Sequence, residues 1–196
     1  MRSHPYLRSL SVSGIRLGLE RIALFLESLG SPHLKYPVIH VAGTNGKGSV
    51  VSMCEQIYVE AGIKVGATTS PHLQHVNERV RVNGEPISDA QFDQLVREVC
   101  EKASDWGREN SIEGEPLTYF EAMIAVAFIH FARCEVDIAV VEVGLGGRLD
   151  ATNVVGAGVS AITSIALDHC ERLGVDVGSI AAEKAGIIAP NSDVVV

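Results

Sequence analysis

Little in this chain is basic, aromatic or rich in sulfur. Lys and Arg total 16 against 24 Asp and Glu, a formal net charge of −8. No basic stripe gathers along any segment, which argues against a nucleic-acid binder, because such surfaces need clustered cations for phosphates. Four cysteines, Cys54, Cys100, Cys134 and Cys170, lie far apart without a C-x-x-C pair. That spacing excludes a zinc knuckle and a disulfide framework, and free thiols suit the cytoplasm. No apolar run reaches membrane-spanning length, and no apolar secretion-signal core opens the chain, so no membrane partner is expected. Aromatics make up only 5% of the chain, yet 46% of the 196 residues are hydrophobic, enough for one substantial aliphatic core.

What is present is concentrated near residue 45. The apolar run Val38-Ile39-His40-Val41-Ala42 leads straight into Gly43-Thr44-Asn45-Gly46-Lys47-Gly48-Ser49. Val50, Val51, Cys54, Ile57, Tyr58 and Ala61 then keep helical spacing up to Gly62. A strand, a glycine turn and a helix in that order cradle phosphate. Glycines let backbone N–H groups converge on the anion, the helix N-terminus adds partial positive charge, and Lys47 reaches the outer phosphates. The usual phosphate-loop spacing is not met. Only Thr44 and Asn45 separate Gly43 from Gly46, and Ser49 comes one position late.

Around this motif, strands alternate with helices. Leu19, Ile22, Ala23, Leu26 and Leu29 mark an amphipathic helix ended by Gly30. A short strand is expected near 63–68, and Val80 and Val82 precede an Asn83-Gly84 hairpin turn. Ser88 with Gln91 and Thr118 with Glu121 read as capping boxes for two further helices, separated by a polar loop over 107–116. Buried strands are expected at 136–142 and 159–165, a helix at about 178–187 and a strand beginning at 194–196. The pattern predicts an α/β fold with a mostly parallel sheet flanked by helices. A chain ending as a strand starts suggests a fold incomplete at its C-terminus.

In open α/β sheets, ligands bind beyond the carboxyl ends of the strands. Three such ends carry polar groups here: the Lys47 loop, Glu142 and Asp168-His169. Together they form a reasonable magnesium–nucleotide site, although a surface carboxylate and a packing histidine are the plain alternatives. The Gly144–Gly147 run lacks the last glycine of a dinucleotide fingerprint, and a tight turn explains it equally well. Helix capping is the leading explanation for Glu121. Lys184 lies on a helix rich in Ala, Gly and Ile. It is either a snorkelling surface lysine or a partly buried amine, neutral enough to combine with CO₂ as a metal-binding carbamate.

Seven segments stand in a recognisable order: Leu17–Ile22, His40–Ser49, Ser70–Leu73, Glu78–Val82, Leu117–Glu121, Glu142–Asn153 and Glu183–Gly186. Through them the chain, from 14 to 190, resembles the N-terminal part of the bacterial folylpolyglutamate synthase/dihydrofolate synthases, within the Mur ligase superfamily. The late Ser49 is a feature of that family. The resemblance implies a P-loop nucleotide-binding fold of the Mur ligase central-domain type. Residues 1–196 would form a partial N-terminal ATP-binding ligase domain, and the C-terminal glutamate-ligase domain would lie outside this chain. It implies an ATP-dependent ligase that joins L-glutamate to dihydropteroate or folate through an acyl phosphate, cytoplasmic and monomeric when full length.

By resemblance, Gly43, Thr44, Asn45, Gly46, Lys47, Gly48 and Ser49 hold ATP. Ser70, Glu142, His169 and Lys184, the last as a carbamate, hold two Mg²⁺ ions. Lys47, Glu142, His169 and Lys184 form the catalytic set. Leu17, Gly18, Arg21, Thr118, Phe120 and Glu121 bind the pterin-bearing substrate, and Arg148, Asp150 and Asn153 belong to the site's architecture. Two other functions stay open at this point: a different phosphoryl-transfer enzyme, or a domain that binds nucleotide or folate without chemistry.

Overall fold

The computed structural model describes residues 5–10, 14, 16–114 and 116–196. Seven strands form one sheet: β1 (Val38–Ala42), β2 (Val65–Thr68), β3 (Val80–Val82), β4 (Glu85–Pro86), β5 (Ile138–Glu142), β6 (Val159–Ile162) and β7 (Asp193–Val195). Their order is β4-β3-β2-β5-β1-β6-β7. The five strands β2, β5, β1, β6 and β7 run parallel, and β3 and β4 add an antiparallel hairpin edge. The expected α/β class with a mostly parallel sheet is therefore the observed one. From β1 the chain crosses to β2 on one side and later lays β6 on the other. The carboxyl end of β1 thus sits at a switch point, where parallel sheets open a crevice.

Seven helices accompany the sheet among the described residues: α1 (Pro5–Leu10), α2 (Glu20–Ser28), α3 (Lys47–Glu60), α4 (Asp89–Glu109), α5 (Tyr119–Cys134), α6 (Cys170–Leu173) and α7 (Val177–Ala185). The main core lies between the sheet and α1, α2, α4 and α5, where Phe25, Phe128 and Phe131 are fully buried. A second, smaller core packs Val51 of α3 against Val41, Val65, Ala67 and Val140 on the opposite face. Helix α5 is buried from Glu121 to Phe131, which explains an apolar run too continuous for a surface helix.

Several boundaries differ from the sequence reading. Strand β6 ends at Ile162, because Thr163 and Ser164 leave the sheet to bond the glycine turn. Helix α4 continues to Glu109, so the expected 107–116 loop begins later, and Glu115 within it lies outside the described residues. Helices α1 and α6 and the turn Val76–Arg79 have no counterpart in the sequence reading. All three are shorter than two helical turns, too short to display a periodicity.

Candidate active site

The parallel register assembles the site. Val41 pairs with Glu142 and Ala42 with Ile162, so the ends of β5, β1 and β6 lie side by side. Gly43 emerges at φ 151°. A Cβ added there would lie 1.7 Å from Thr163 Oγ1, so only glycine passes at this point. Thr44 and Asn45 are tied down by the segment after β6. The Thr44 N–H donates to Ser164 O at 2.7 Å, and the Asn45 N–H donates to Ser164 Oγ at 3.1 Å. Thr163 Oγ1 donates to Asn45 O at 2.7 Å. These two amides are thus spent inside the protein. The first-turn N–H groups of α3, beginning at Lys47, remain for an anion. The Lys47 ammonium meanwhile donates to Gly43 O at 2.9 Å and Thr44 O at 3.2 Å, folded back over its own loop.

Glu142 is 5% exposed. Its Oε2 accepts the Ser70 N–H at 2.9 Å, and it forms no ion pair among the described residues. Burial pushes its carboxyl above the ordinary range, against the Ser70 hydrogen bond and the charges of Lys47, Arg81 and Arg79. A buried carboxylate without a counter-ion, beside a hydroxyl residue and a phosphate loop, fits a Mg²⁺ ion, which takes few protein ligands and completes its shell with phosphate and water. No group of three His, Cys, Asp or Glu side chains gathers among the described residues.

A small cleft of about 20 Å³ is lined by Gly43, Lys47, Gly144, Asp168, His169 and Lys184, among others. His169 caps α6 with φ 49°, and its half-exposed ring lies 3.7 Å from Asp168 Oδ1. Lys184 is 3% exposed. Burial lowers its pKa, the Lys47 charge lowers it further, and Asp168 acts in the opposite sense. Of the two readings open for Lys184, the structure supports the buried amine.

A large cavity of about 480 Å³ opens on the other side of Gly144-Leu145. Leu17, Thr118, Phe120 and Glu121 line it, as do Ser70 and Asp150; Gly18 and Arg21 are not among its lining residues. Arg21 instead grips Glu121 from behind, with Nε 3.0 and 3.2 Å from the two carboxylate oxygens. Glu121 also closes the capping box of α5, accepting the Thr118 N–H at 2.7 Å and the Thr118 hydroxyl at 2.8 Å. The helix-cap explanation of Glu121 therefore holds, and the same carboxylate is a cavity wall.

The Gly144–Gly147 turn divides the cleft from the cavity, and the 148–153 segment braces it. Asp150 accepts the Leu145 N–H at 2.8 Å and the Thr152 N–H at 3.0 Å. Arg148 bonds Glu183 through Nη2 at 2.6 Å. Asn153 Nδ2 donates to Arg148 O and Gly186 O, fastening the turn to α7 and hence to Lys184. A connection absent from the sequence reading runs deeper. His40 Nε2 lies 2.8 Å from Thr152 Oγ1, whose hydroxyl donates to Asp150 Oδ1 at 2.5 Å. That donation spends the only hydroxyl proton, so Nε2 of His40 carries the other hydrogen; Nδ1 is buried with no partner among the described residues, and burial lowers the ring's pKa, which keeps it neutral. Thr163, Ser164 and His40 were missed because each is an ordinary strand residue by pattern; only its spatial neighbour gives it a role.

A glycine turn opening a helix at the end of one parallel strand, with a buried carboxylate ending the next strand and a buried lysine on α7, is the arrangement of a nucleotide-binding domain of the Mur ligase fold. No protein-family model matches the chain. The dihydrofolate synthase/folylpolyglutamate synthase of Mycobacterium tuberculosis is 45% identical over 179 residues, covering 89% of this chain and 37% of that protein. Among solved structures, Mycobacterium tuberculosis folylpolyglutamate synthase complexed with ADP superposes with a TM-score of 0.85 at 44% identity, over 96% of this chain and 43% of that one. E. coli FolC in complex with DHPP and ADP gives a TM-score of 0.84 at 43% identity, over 95% and 43%. The chain is homologous to part of the dihydrofolate synthase/folylpolyglutamate synthases, as its motifs suggested. It spans about two fifths of the length of several curated relatives and about a fifth of two longer ones.

Proposed function

We propose that this chain is the nucleotide- and folate-binding part of an ATP-dependent amide ligase that joins L-glutamate to dihydropteroate, to tetrahydrofolate and its polyglutamates, or to both. The observation that carries the reading is the shared wall: the 480 Å³ cavity and the phosphate-loop cleft meet at Gly144-Leu145. A ligase needs that adjacency. A carboxylate is a poor electrophile, because its charge repels nucleophiles and oxide leaves badly. Transfer of the γ-phosphoryl group of ATP to the substrate carboxylate gives an acyl phosphate. The glutamate amine then forms the amide, and phosphate departs. A water-excluding cavity protects the acyl phosphate from hydrolysis.

In this reading the α3 amides and Lys47 bind the phosphates. Glu142, Ser70 and His169 would hold two Mg²⁺ ions, whose charge would offset the repulsion between ATP and the substrate carboxylate. Lys184, buried with a lowered pKa, adds as a neutral amine to CO₂. The N–C bond would form, one proton would leave, and the carbamate would offer an oxygen to hold the second ion. Leu17, Thr118, Phe120, Glu121 and Asp150 enclose the pterin-bearing substrate, and Arg21 acts one layer back by holding Glu121. Residues 1–196 form a partial domain, and the glutamate contacts belong to segments beyond this chain. The full-length enzyme is read as a cytoplasmic monomer; no helix among the described residues is long and apolar enough to cross a membrane, and the four thiols are free.

Titration calorimetry tests this directly. The chain is expected to bind both a magnesium complex of a non-hydrolysable ATP analogue and dihydropteroate. Ligase turnover is expected to be far below that of a full-length relative. A chain that binds neither ligand refutes the reading, and near-normal turnover refutes the partial-domain assignment.

The cavity wall yields a second expectation. A Cβ added at Gly144 would lie 2.5 Å from Phe120 Cζ. Gly144→Ala therefore drives the Phe120 ring toward the cavity. Such overpacking costs about 1–3 kcal/mol. If the ligand must push the ring back to bind, the same cost opposes binding, and dihydropteroate affinity should fall roughly 30-fold, the mid-range of that cost, in a variant that circular dichroism shows to be folded. Unchanged affinity would mean that the ligand does not touch this wall.

A further inference from the structure

Arg79 is a cavity cation that pairs with no anion among the described residues. It closes the turn Val76–Arg79 and lines the large cavity beside Ser70 and Tyr119. Its Nε donates to His72 Nδ1 at 2.9 Å. Its guanidinium carbon lies 5.6 Å from the Tyr119 ring centroid. Neither partner is an anion. Arg21, Arg81 and Arg148 each hold a carboxylate, whereas Arg79 forms no ion pair among the described residues. The adjacent carboxylate is occupied elsewhere: Glu78 accepts the N–H groups of Leu73, Gln74 and His75.

The position of this cation is specific. Ser70 shares the cavity with Arg79 and donates its N–H to Glu142 at 2.9 Å. The guanidinium therefore lies in the same cavity as the residue that bonds the Glu142 carboxylate. It is half-buried, anchored on one edge by His72 and packed against the Tyr119 ring, so little side-chain freedom remains to be lost when an anion arrives. Its Nη donors form no hydrogen bond among the described residues, and a planar fork of this kind suits a carboxylate. The cavity walls beside it, Leu17, Phe120, Leu145 and Leu149, are apolar and suit an aromatic body.

We propose that Arg79 binds the substrate carboxylate that becomes activated, aiming it from the cavity at the phosphate loop. The assignment rests on the ligase reading above and extends it to a residue outside the catalytic and substrate-binding sets inferred from the motifs. Arg79 would orient the nucleophilic oxygen and lower the repulsion between that carboxylate and the nucleotide phosphates.

Two ligands separate this role from a structural one: dihydropteroate, and the same molecule with its carboxylate replaced by a carboxamide. Calorimetry on the wild-type chain should show the carboxylate ligand binding at least tenfold tighter. Arg79→Gln should reduce that ratio to within twofold and leave carboxamide affinity unchanged. Arg79→Lys, which keeps the charge and loses the fork, should retain an intermediate ratio, and it carries the test if the Gln variant does not fold. An unchanged ratio in both variants, or an equal loss for both ligands, overturns the proposal. Wild-type protein that binds both ligands equally also overturns it and leaves the folate reading intact. Wild-type protein that binds neither overturns both.

Discussion

Lys47→Met should lower the affinity for a magnesium–nucleotide analogue by roughly 30- to 150-fold, with the fold retained. The figure follows from losing a charge-assisted contact to phosphate, worth about 2–3 kcal/mol. In the present structure the ammonium is bonded to Gly43 O and Thr44 O at 2.9 and 3.2 Å. Those bonds show that the side chain reaches across the loop, and they hold the charge over the cradle before a ligand arrives. Fold retention is expected because Thr163 and Ser164 fasten the same loop independently, through Asn45 O and the Thr44 and Asn45 amides. Calorimetry with the analogue measures the loss, and thermal melting checks the fold. An affinity within threefold of wild type would show that the loop does not hold a triphosphate through this lysine. The same substitution removes one of the charges that depress the Lys184 amine, so the Lys184 pKa should rise.

The second large effect is on stability in acid. His40 is fully buried in β1, and burial pushes its pKa down to about 3 from an ordinary 6.5. The folded protein therefore keeps the ring neutral where the unfolded chain has already protonated it. Between pH 6.5 and pH 3 the unfolded state binds one more proton at this site, so stability falls as pH falls. One proton contributes about 1.4 kcal/mol per pH unit, hence about 2–3 kcal/mol between pH 6 and pH 4. His33 and His130 act in the same direction, each lowered by burial, while the raised carboxyls of Asp150 and Glu142 act in the opposite one. His40→Gln isolates the histidine: the amide still donates to Thr152 Oγ1 and does not titrate. Urea unfolding at pH 6, 5 and 4 should show a slope shallower by about one proton in the variant. Parallel curves would mean that His40 is protonated in the folded state, with its hydrogen-bond chain to Asp150 broken.

Much of this site was legible in the residues. The β1–loop–α3 unit is written in a β-branched run, close glycines and one lysine, and the observed helix begins at that lysine. The caps of α4 and α5 were legible because Ser88 and Thr118 stand three residues before Gln91 and Glu121, a local spacing. Placing Arg21 near substrate came from motif likeness. Its actual partner, Glu121, is 100 residues away, and no local pattern reveals such a pairing. The end of β6 was misjudged for a related reason. Thr163 has strand propensity and Ile165 prolongs the apolar alternation, but the polar groups of a neighbouring loop claimed Thr163 and Ser164.

The amino-acid order alone determined the α/β class, the glycine turn that opens α3 at Lys47 and the carboxylate that ends β5, because periodicity, glycine and capping act within a few residues of one another. Tertiary structure alone decided that Glu142 and Arg79 form no ion pair among the described residues, that Lys184 is desolvated and that His40 is neutral. Each of these depends on how much water reaches a group and which charge lies across from it, and both are set by strands that meet only after the chain has folded.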